Sequence, residues 1–170
     1  MSPRRSTPGA TQAGIAAVLL AAWLGAAIYF SAVVARAAFA VLPSRTLSGD
    51  LVGATLPTIF VGGVAMAGLA ALLALPAPRR EWYAGRFVWL LASLVAAGLC
   101  AVGQFVLTPR IDVLRKSLGM ALDSTPAGDP VRAEFARLHL FSVGALGIAI
   151  VLALVGLVAA VRHATAARVR

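Results

Sequence analysis

The chain has 170 residues, of which 61% are hydrophobic and only 12% charged, and its mean hydropathy is +0.92. A water-soluble domain of this length has too little interior to bury that much apolar surface, so the composition indicates a protein solvated by lipid. The net charge of +9 comes from basic residues in the short segments between apolar runs. This distribution marks membrane boundaries and argues against nucleic acid as a partner.

The first membrane span is predicted over residues 13–35. Residues 1–12 are rich in Pro, Ser, Thr and Arg, which is typical of a disordered tail. The following uncharged run is long enough to cross a hydrocarbon core of about 30 Å. Ala35-Arg36-Ala37 resembles a signal-peptide cleavage site, but the apolar run exceeds the usual core of about 7–15 residues. We therefore expect a retained span.

Three further apolar runs predict three more spans. They cover residues 51–75, 87–107 and 138–161. Pro57 lies early in the second span, where neighbouring helices allow a kink without a break. Trp82, Tyr83 and Trp89 lie near the start of the third span, and rings of this kind favour the headgroup level. Residues 162–170 form a basic tail.

The long connection before the fourth span contains a predicted helix of its own. Thr108-Pro109 can cap and begin a helix, and Ile111, Leu114 and Leu118 then share one face. We predict a short amphipathic interfacial helix over residues 109–122. The fold class is therefore predicted to be an all-α integral membrane protein, with four transmembrane helices in a compact bundle plus this interfacial helix.

Small residues recur every four positions in three of the spans. They are Ala17, Ala21 and Gly25 in the first span, Ser93, Ala97 and Ala101 in the third, and Ala145, Ala149 and Ala153 in the fourth. Such ridges let helix backbones approach closely in lipid. Lys and Arg are denser in the tails and the second connection than in the other two connections, which predicts that both termini face the cytoplasm.

Polar residues concentrate where the third span ends and the fourth begins, and antiparallel spans bring these two points to the same membrane face. The predicted polar cluster consists of Gln104, Arg110, Asp112, Arg115, His139, Ser142 and Arg36. Arginine offers a planar fork for phosphate or carboxylate, so the cluster could bind an anion or a lipid headgroup. Alternatively, His139 ties the fourth span to the interfacial helix by a hydrogen bond, Asp112 neutralises a neighbouring cation, and Arg36 extends its long side chain to the interface.

Metal, haem and catalytic sites are not expected. The two histidines are His139 and His163, and the latter is predicted to lie beyond the fourth span, in the basic tail. Cys100 and Met66 are soft ligands in different spans without a third partner. No nucleophile–base arrangement is recognisable, and no acidic residue lies within a span, which argues against a carboxylate proton relay. We expect no cofactor and no enzymatic activity.

Several of these residues carry a family resemblance. The motifs are Thr108-Pro109-Arg110-Ile111, Leu114-Arg115, Phe135-x-x-Leu138-His139-x-x-Ser142 and, in the first half, Phe39-Ala40-x-Leu42-Pro43 with Gly49 and Gly53. Together they resemble the transmembrane protein 205-like domain family over residues 15–160. The resemblance implies a four-span membrane protein and brings no settled activity. It also implies an Asn one turn after Ser142, where this chain has Ala145-Leu146.

Two functional hypotheses follow. The first is a non-enzymatic membrane protein with a structural, lipid-contacting or partner-binding role. The second is a component of a small-solute or lipid transporter or channel, with Gln104, Arg110 and His139 lining an entrance. Four short spans leave little room for a pathway, so this second hypothesis requires a homo-oligomer.

Overall fold

The described residues form six α-helices and no strand, which confirms the predicted all-α class. The computed structural model describes residues 8–75, 84–118, 126 and 128–169. The helices are α1 (Pro8–Tyr29), α2 (Ala35–Val41), α3 (Arg45–Ala74), α4 (Ala84–Val102), α5 (Thr108–Leu118) and α6 (Pro130–Val169).

Two π-helical turns join consecutive helices without a break. Phe30–Val34 connects α1 to α2, and Gly103–Leu107 connects α4 to α5. At the second turn, both the backbone N–H and the Oγ1 hydroxyl of Thr108 donate to the Gly103 carbonyl oxygen, the hydroxyl at 2.9 Å. The predicted interfacial helix is thus helical but continues directly from the third span. The reason is that Thr108 bonds back into the preceding turn and does not cap a new helix.

Four of the resulting rods are long and apolar enough to cross a membrane, which confirms the four predicted spans. They run over Pro8–Val41, Arg45–Ala74, Gly85–Ser117 and Pro130–Ala166. Each exceeds the roughly 20 residues that a hydrocarbon core requires, so the rods extend beyond it. Residues 8–12 and 162–169 were assigned to the tails from the sequence, but both segments continue the helices. Residues 1–7 of the predicted disordered tail lie outside the described residues.

The rods form a ring in which each packs on two neighbours. Helix α1 packs on α3 and α6, and α4 packs on the same two helices. The core between them is mostly alanine, with a few large side chains such as Trp23, whose Nε1 donates to the Ile59 carbonyl oxygen at 2.9 Å. Such a core allows close backbone approach, the main source of helix association in lipid.

The predicted small-residue ridges are confirmed in part in two spans and wrong in one. Ser93, Ala97, Ala149 and Ala153 are buried, whereas Ala101 and Ala145 are half-buried. In α1, however, Ala21 and Gly25 are exposed. The buried face of α1 instead contains Trp23, whose bulky indole packs into the core. Its members follow one another at alternating intervals of three and four residues: Ala13, Ala16, Leu20, Trp23 and Ala27.

Glycines set the closest approaches between rods. A Cβ on Gly63 would overlap the Cys100 sulfur and lie 2.9 Å from the Trp23 ring. A Cβ on Gly103 would lie 2.5 Å from two atoms of the buried Phe60 ring. These rings are enclosed on all sides by the core, so neither can move aside at low cost.

Gly103→Ala is expected to destabilise the bundle by about 1–3 kcal/mol, because the added methyl forces the α3–α4 contact apart. Gly98→Ala, in the same rod, is the matched control, since a Cβ there meets nothing within 4 Å. The control should be neutral or stabilising because alanine favours the helix. Thermal unfolding in a mild detergent measures both, and equal melting temperatures for the two variants would contradict the assigned contact.

Candidate functional site

Arg115 is the centre of the polar site at the end of the bundle where α3 begins. From α5 it reaches across to α3, where its guanidinium lies beside Gly49 and Gly53. A Cβ on Gly53 would overlap the Arg115 Nη1 atom. The same Nη1 lies 3.8 Å from Oδ1 of Asp50, and the Arg115 side chain remains 23% exposed. Two glycines spaced by four residues thus form a notch that accepts a flat guanidinium.

Pro57 adds an acceptor to this part of α3. The helix continues through the proline, as predicted. In a regular α-helix the N–H of residue 57 would donate to the carbonyl of Gly53, but proline has no N–H. The Gly53 carbonyl therefore lacks its helical donor in the same turn that meets Arg115. A cation beside such a turn is electrostatically favourable.

His139 lies on α6 and is exposed. Its ring stacks on Phe135, with centroids 6.2 Å apart and planes 5° from parallel, and the positive charge of Arg115 acts on it. Within the described residues it makes no hydrogen bond to α5, so the structure does not show the predicted hydrogen-bonded staple. The α5–α6 contact is instead apolar. Its members are Leu107, Ile111 and Leu138, with Leu114 and Phe135 packed against them.

Gln104 and Ser142 each carry a buried polar atom. Gln104 lies in the π-helical turn that packs on α6, and Ser142 lies on α6 one turn after Leu138. Gln104 Oε1 and Ser142 Oγ are both buried, and neither has a hydrogen-bond partner among the described residues. Buried polar atoms normally have partners, so each of these two can accept a bond from a further molecule.

The other three predicted site residues are not drawn into this contact. Arg110 and Arg36 are exposed, and Asp112 is half-buried. Within the described ranges none of them forms an ion pair shorter than 4.0 Å.

The carboxylate that meets Arg115 is Asp50, which the sequence analysis did not select. The sequence did contain a signal for Asp50, because this residue lies between Gly49 and Gly53, two glycines four residues apart at the start of the second span. We call Asp50, Arg115 and His139 the Arg115 cluster, because the charge of Arg115 acts on both of the other side chains.

A second polar cluster lies at the opposite end, where α1 begins and α6 ends. Arg86 is fully buried, and its Nε donates to the Ala74 carbonyl oxygen at 2.8 Å. Its guanidinium lies 5.7 Å from the Trp89 ring centroid, and the His163 ring centroid lies 6.0 Å from that of Trp89. Ser93 is buried one turn further along α4. These four residues, Arg86, Trp89, Ser93 and His163, form the Arg86 cluster.

Sequence reasoning missed the Arg86 cluster because it ended the fourth span too early. His163 was assigned to a basic tail, yet α6 remains helical beyond it and the imidazole is buried. The signal was present: Ala149, Ala153, Gly156, Ala160 and His163 follow spacings of four, three, four and three, which define one helical face. Trp89, expected at headgroup level, lies opposite this face and is fully buried.

The described residues contain no group of three His, Cys, Asp or Glu side chains that could hold a metal ion. Cys100 is buried against Gly63 in the core.

The sequence of the chain matches a known protein family. Residues 18–119, more than half of the chain, match the family described as Domain of unknown function (DUF4149). The chain belongs to this family. The DUF4149 match includes Asp50, Gln104 and Arg115 but ends before His139 and Ser142. No curated protein and no solved structure matches the chain.

A double-mutant cycle tests whether Arg115 occupies the notch on α3. Gly53→Ala is expected to lower the melting temperature in the parent chain, because the new methyl displaces the guanidinium from Asp50. In an Arg115→Ala background the same change should be neutral or raise stability by up to about 1 kcal/mol, the usual gain from replacing a helical glycine. Gly68→Ala, whose Cβ meets nothing within 4 Å, is the control in both backgrounds. The same effect of Gly53→Ala in both backgrounds would refute the contact.

Proposed function

We propose that this protein is a non-enzymatic, lipid-contacting membrane protein whose Arg115 cluster binds the phosphate of anionic lipid headgroups. The observation that carries the proposal is the position of the Arg115 guanidinium, which is held on α3 yet remains partly exposed. A side chain that is already positioned loses little conformational freedom when it binds a ligand.

The charge of Arg115 is only partly compensated. Its carboxylate partner, Asp50, has a side chain that is 53% exposed, and the closest atoms are 3.8 Å apart. This distance is longer than a charge-assisted hydrogen bond of about 2.7–2.9 Å. The guanidinium fork therefore retains donors for a phosphate, which it can bind through two parallel hydrogen bonds.

The surroundings of Arg115 suit a lipid. Leu140 and Phe141, which follow His139 on α6, are exposed and offer apolar surface to acyl chains. Arg110 and Lys116, both exposed on α5, add positive charge at the same end. Cations close to a membrane surface each contribute about 1 kcal/mol of attraction to anionic lipid.

The environment of His139 supports binding over catalysis. Its ring is stacked on Phe135. In the described part of the chain no carboxylate accepts a hydrogen bond from it, whereas a catalytic base is normally oriented by such a group.

A second candidate is a small-solute or lipid transporter or channel component that acts as an oligomer. The buried, unpartnered Gln104 Oε1 and Ser142 Oγ favour it, because a polar solute could bond to both. Within one copy, however, the contacts of Gly63, Gly103 and Gly156 with side chains of neighbouring rods close the interior. A pathway would therefore lie between copies, and a strictly monomeric protein would argue against this candidate.

The proposed location is a bacterial inner membrane, with both termini in the cytoplasm. Four spans bring both termini to one side, and the basic residues are densest on that side. The resemblance to the transmembrane protein 205-like family agrees with a four-span membrane protein.

Native mass spectrometry with phosphatidylglycerol or phosphatidylcholine tests the lipid proposal. The parent protein should retain phosphatidylglycerol preferentially, and Arg115→Gln should weaken that binding about ten- to a hundredfold, because a hydrogen bond to a charged group contributes about 1.5–3 kcal/mol. Arg137→Gln is the matched control, since Arg137 is exposed at the same end and pairs with Glu134 on its own helix at 3.3 Å. Equal phosphatidylglycerol binding by the two variants would contradict the proposal.

A further inference from the structure

Two fully buried side chains of the Arg86 cluster have polar atoms without a hydrogen-bond partner in the described chain. They are Nε1 of Trp89 and Oγ of Ser93, and both residues are 0% exposed. Trp23 shows the usual arrangement, since its buried indole donates to a carbonyl oxygen. Buried indole N–H groups normally have partners, and exceptions point to a bound water or ion.

The two residues lie on one face of α4. Trp89 and Ser93 are four residues apart on α4, so their side chains lie on the same face of the helix. That face packs on α6, where a Cβ on Gly156 would lie 3.0 Å from Ser93 Oγ. The ring of His163, also on α6, lies 6.0 Å from the Trp89 ring, centroid to centroid. The site is thus enclosed between α4 and α6.

A ligand that bonds to both of these atoms must be able to accept a hydrogen bond. An indole N–H can only donate, a hydroxyl can donate or accept, and the nearby Arg86 guanidinium carries donors alone. The positive charge of Arg86 also lies on the Trp89 ring face and favours a ligand with a negative charge or an exposed lone pair. Because α6 approaches so closely that a Cβ on Gly156 would lie 3.0 Å from Ser93 Oγ and 3.7 Å from Ala92 Cβ, the ligand must be small.

We infer that one small hydrogen-bond acceptor, a water molecule or a halide ion, is bound between α4 and α6, where it accepts from Trp89 Nε1 and bonds to Ser93 Oγ. Either ligand meets the same chemical requirement, and a buried water typically makes about three hydrogen bonds. The site lies at the opposite end of the bundle from Arg115, so it is independent of the proposed lipid binding.

Thermal unfolding of Ser93→Ala, Trp89→Phe and the double variant tests the inference. Each single change should lower the apparent melting temperature by at least about 2–4 °C, the shift expected for about 1 kcal/mol in a chain of this size. The double variant should lose less than the sum, because both residues bind one ligand. Ser31→Ala is the control, since its hydroxyl donates to the Ala27 carbonyl of its own helix.

The opposite result for Ser93→Ala would overturn the inference. If the hydroxyl has no partner, removing it leaves stability unchanged or increases it, because a buried unsatisfied group is itself costly. Additive losses in the double variant would also overturn a shared ligand.

A fluorescence titration distinguishes the two ligands. In a chain carrying Trp23→Phe and Trp82→Phe, Trp89 is the only indole. Saturable quenching by bromide that disappears in Ser93→Ala identifies a halide site. Stability losses in the single variants that do not depend on halide concentration identify water. Absence of both effects refutes the site.

Discussion

Close approach of helix backbones at glycine is the constraint on which the bundle depends. In lipid there is no hydrophobic force between apolar helices, so their association relies on packing and on a few polar contacts. Cys100 and the Trp23 ring pack against Gly63, the Phe60 ring packs against Gly103, and Ser93 packs against Gly156. These contacts fix α3, α4 and α6 relative to one another, and the positions of the polar side chains at both ends follow from them.

Two departures from regular α-helical geometry determine the position and the surroundings of Arg115. The π-helical turn at Gly103–Leu107 lets the third span continue as α5, and α5 carries Arg115 to α3. Pro57 removes the helical donor of the Gly53 carbonyl beside the guanidinium. Such irregularities are tolerated in a membrane when neighbouring helices cover the freed groups, and π-helical turns often occur at functional sites.

The sequence predicted the spans well because lipid imposes a simple rule of about 20 apolar residues per crossing. It identified Arg115 and His139 of the Arg115 cluster, since antiparallel spans bring their ends together. It missed Asp50, because the Arg115–Asp50 pair joins residues far apart in the chain, and it missed the π-helical turn, which depends on packing against α6. It also placed His163 and Trp89 in water or headgroups, because charges near a span end obscured the three-four spacing that buries them.

Close packing at Gly63 and Gly103 lies between the two ends of the bundle, and Cys100 tests whether this packing closes the interior to water. It is the only cysteine of the chain, is fully buried, and lies against Gly63 between the two ends. We would measure its reaction with a membrane-impermeant methanethiosulfonate reagent in detergent micelles, using Ser117→Cys in a Cys100→Ala chain as the exposed control. A closed bundle predicts labelling of the control and none of Cys100 until the protein unfolds. Labelling of native Cys100 in the folded protein would reveal an aqueous route and contradict a closed bundle.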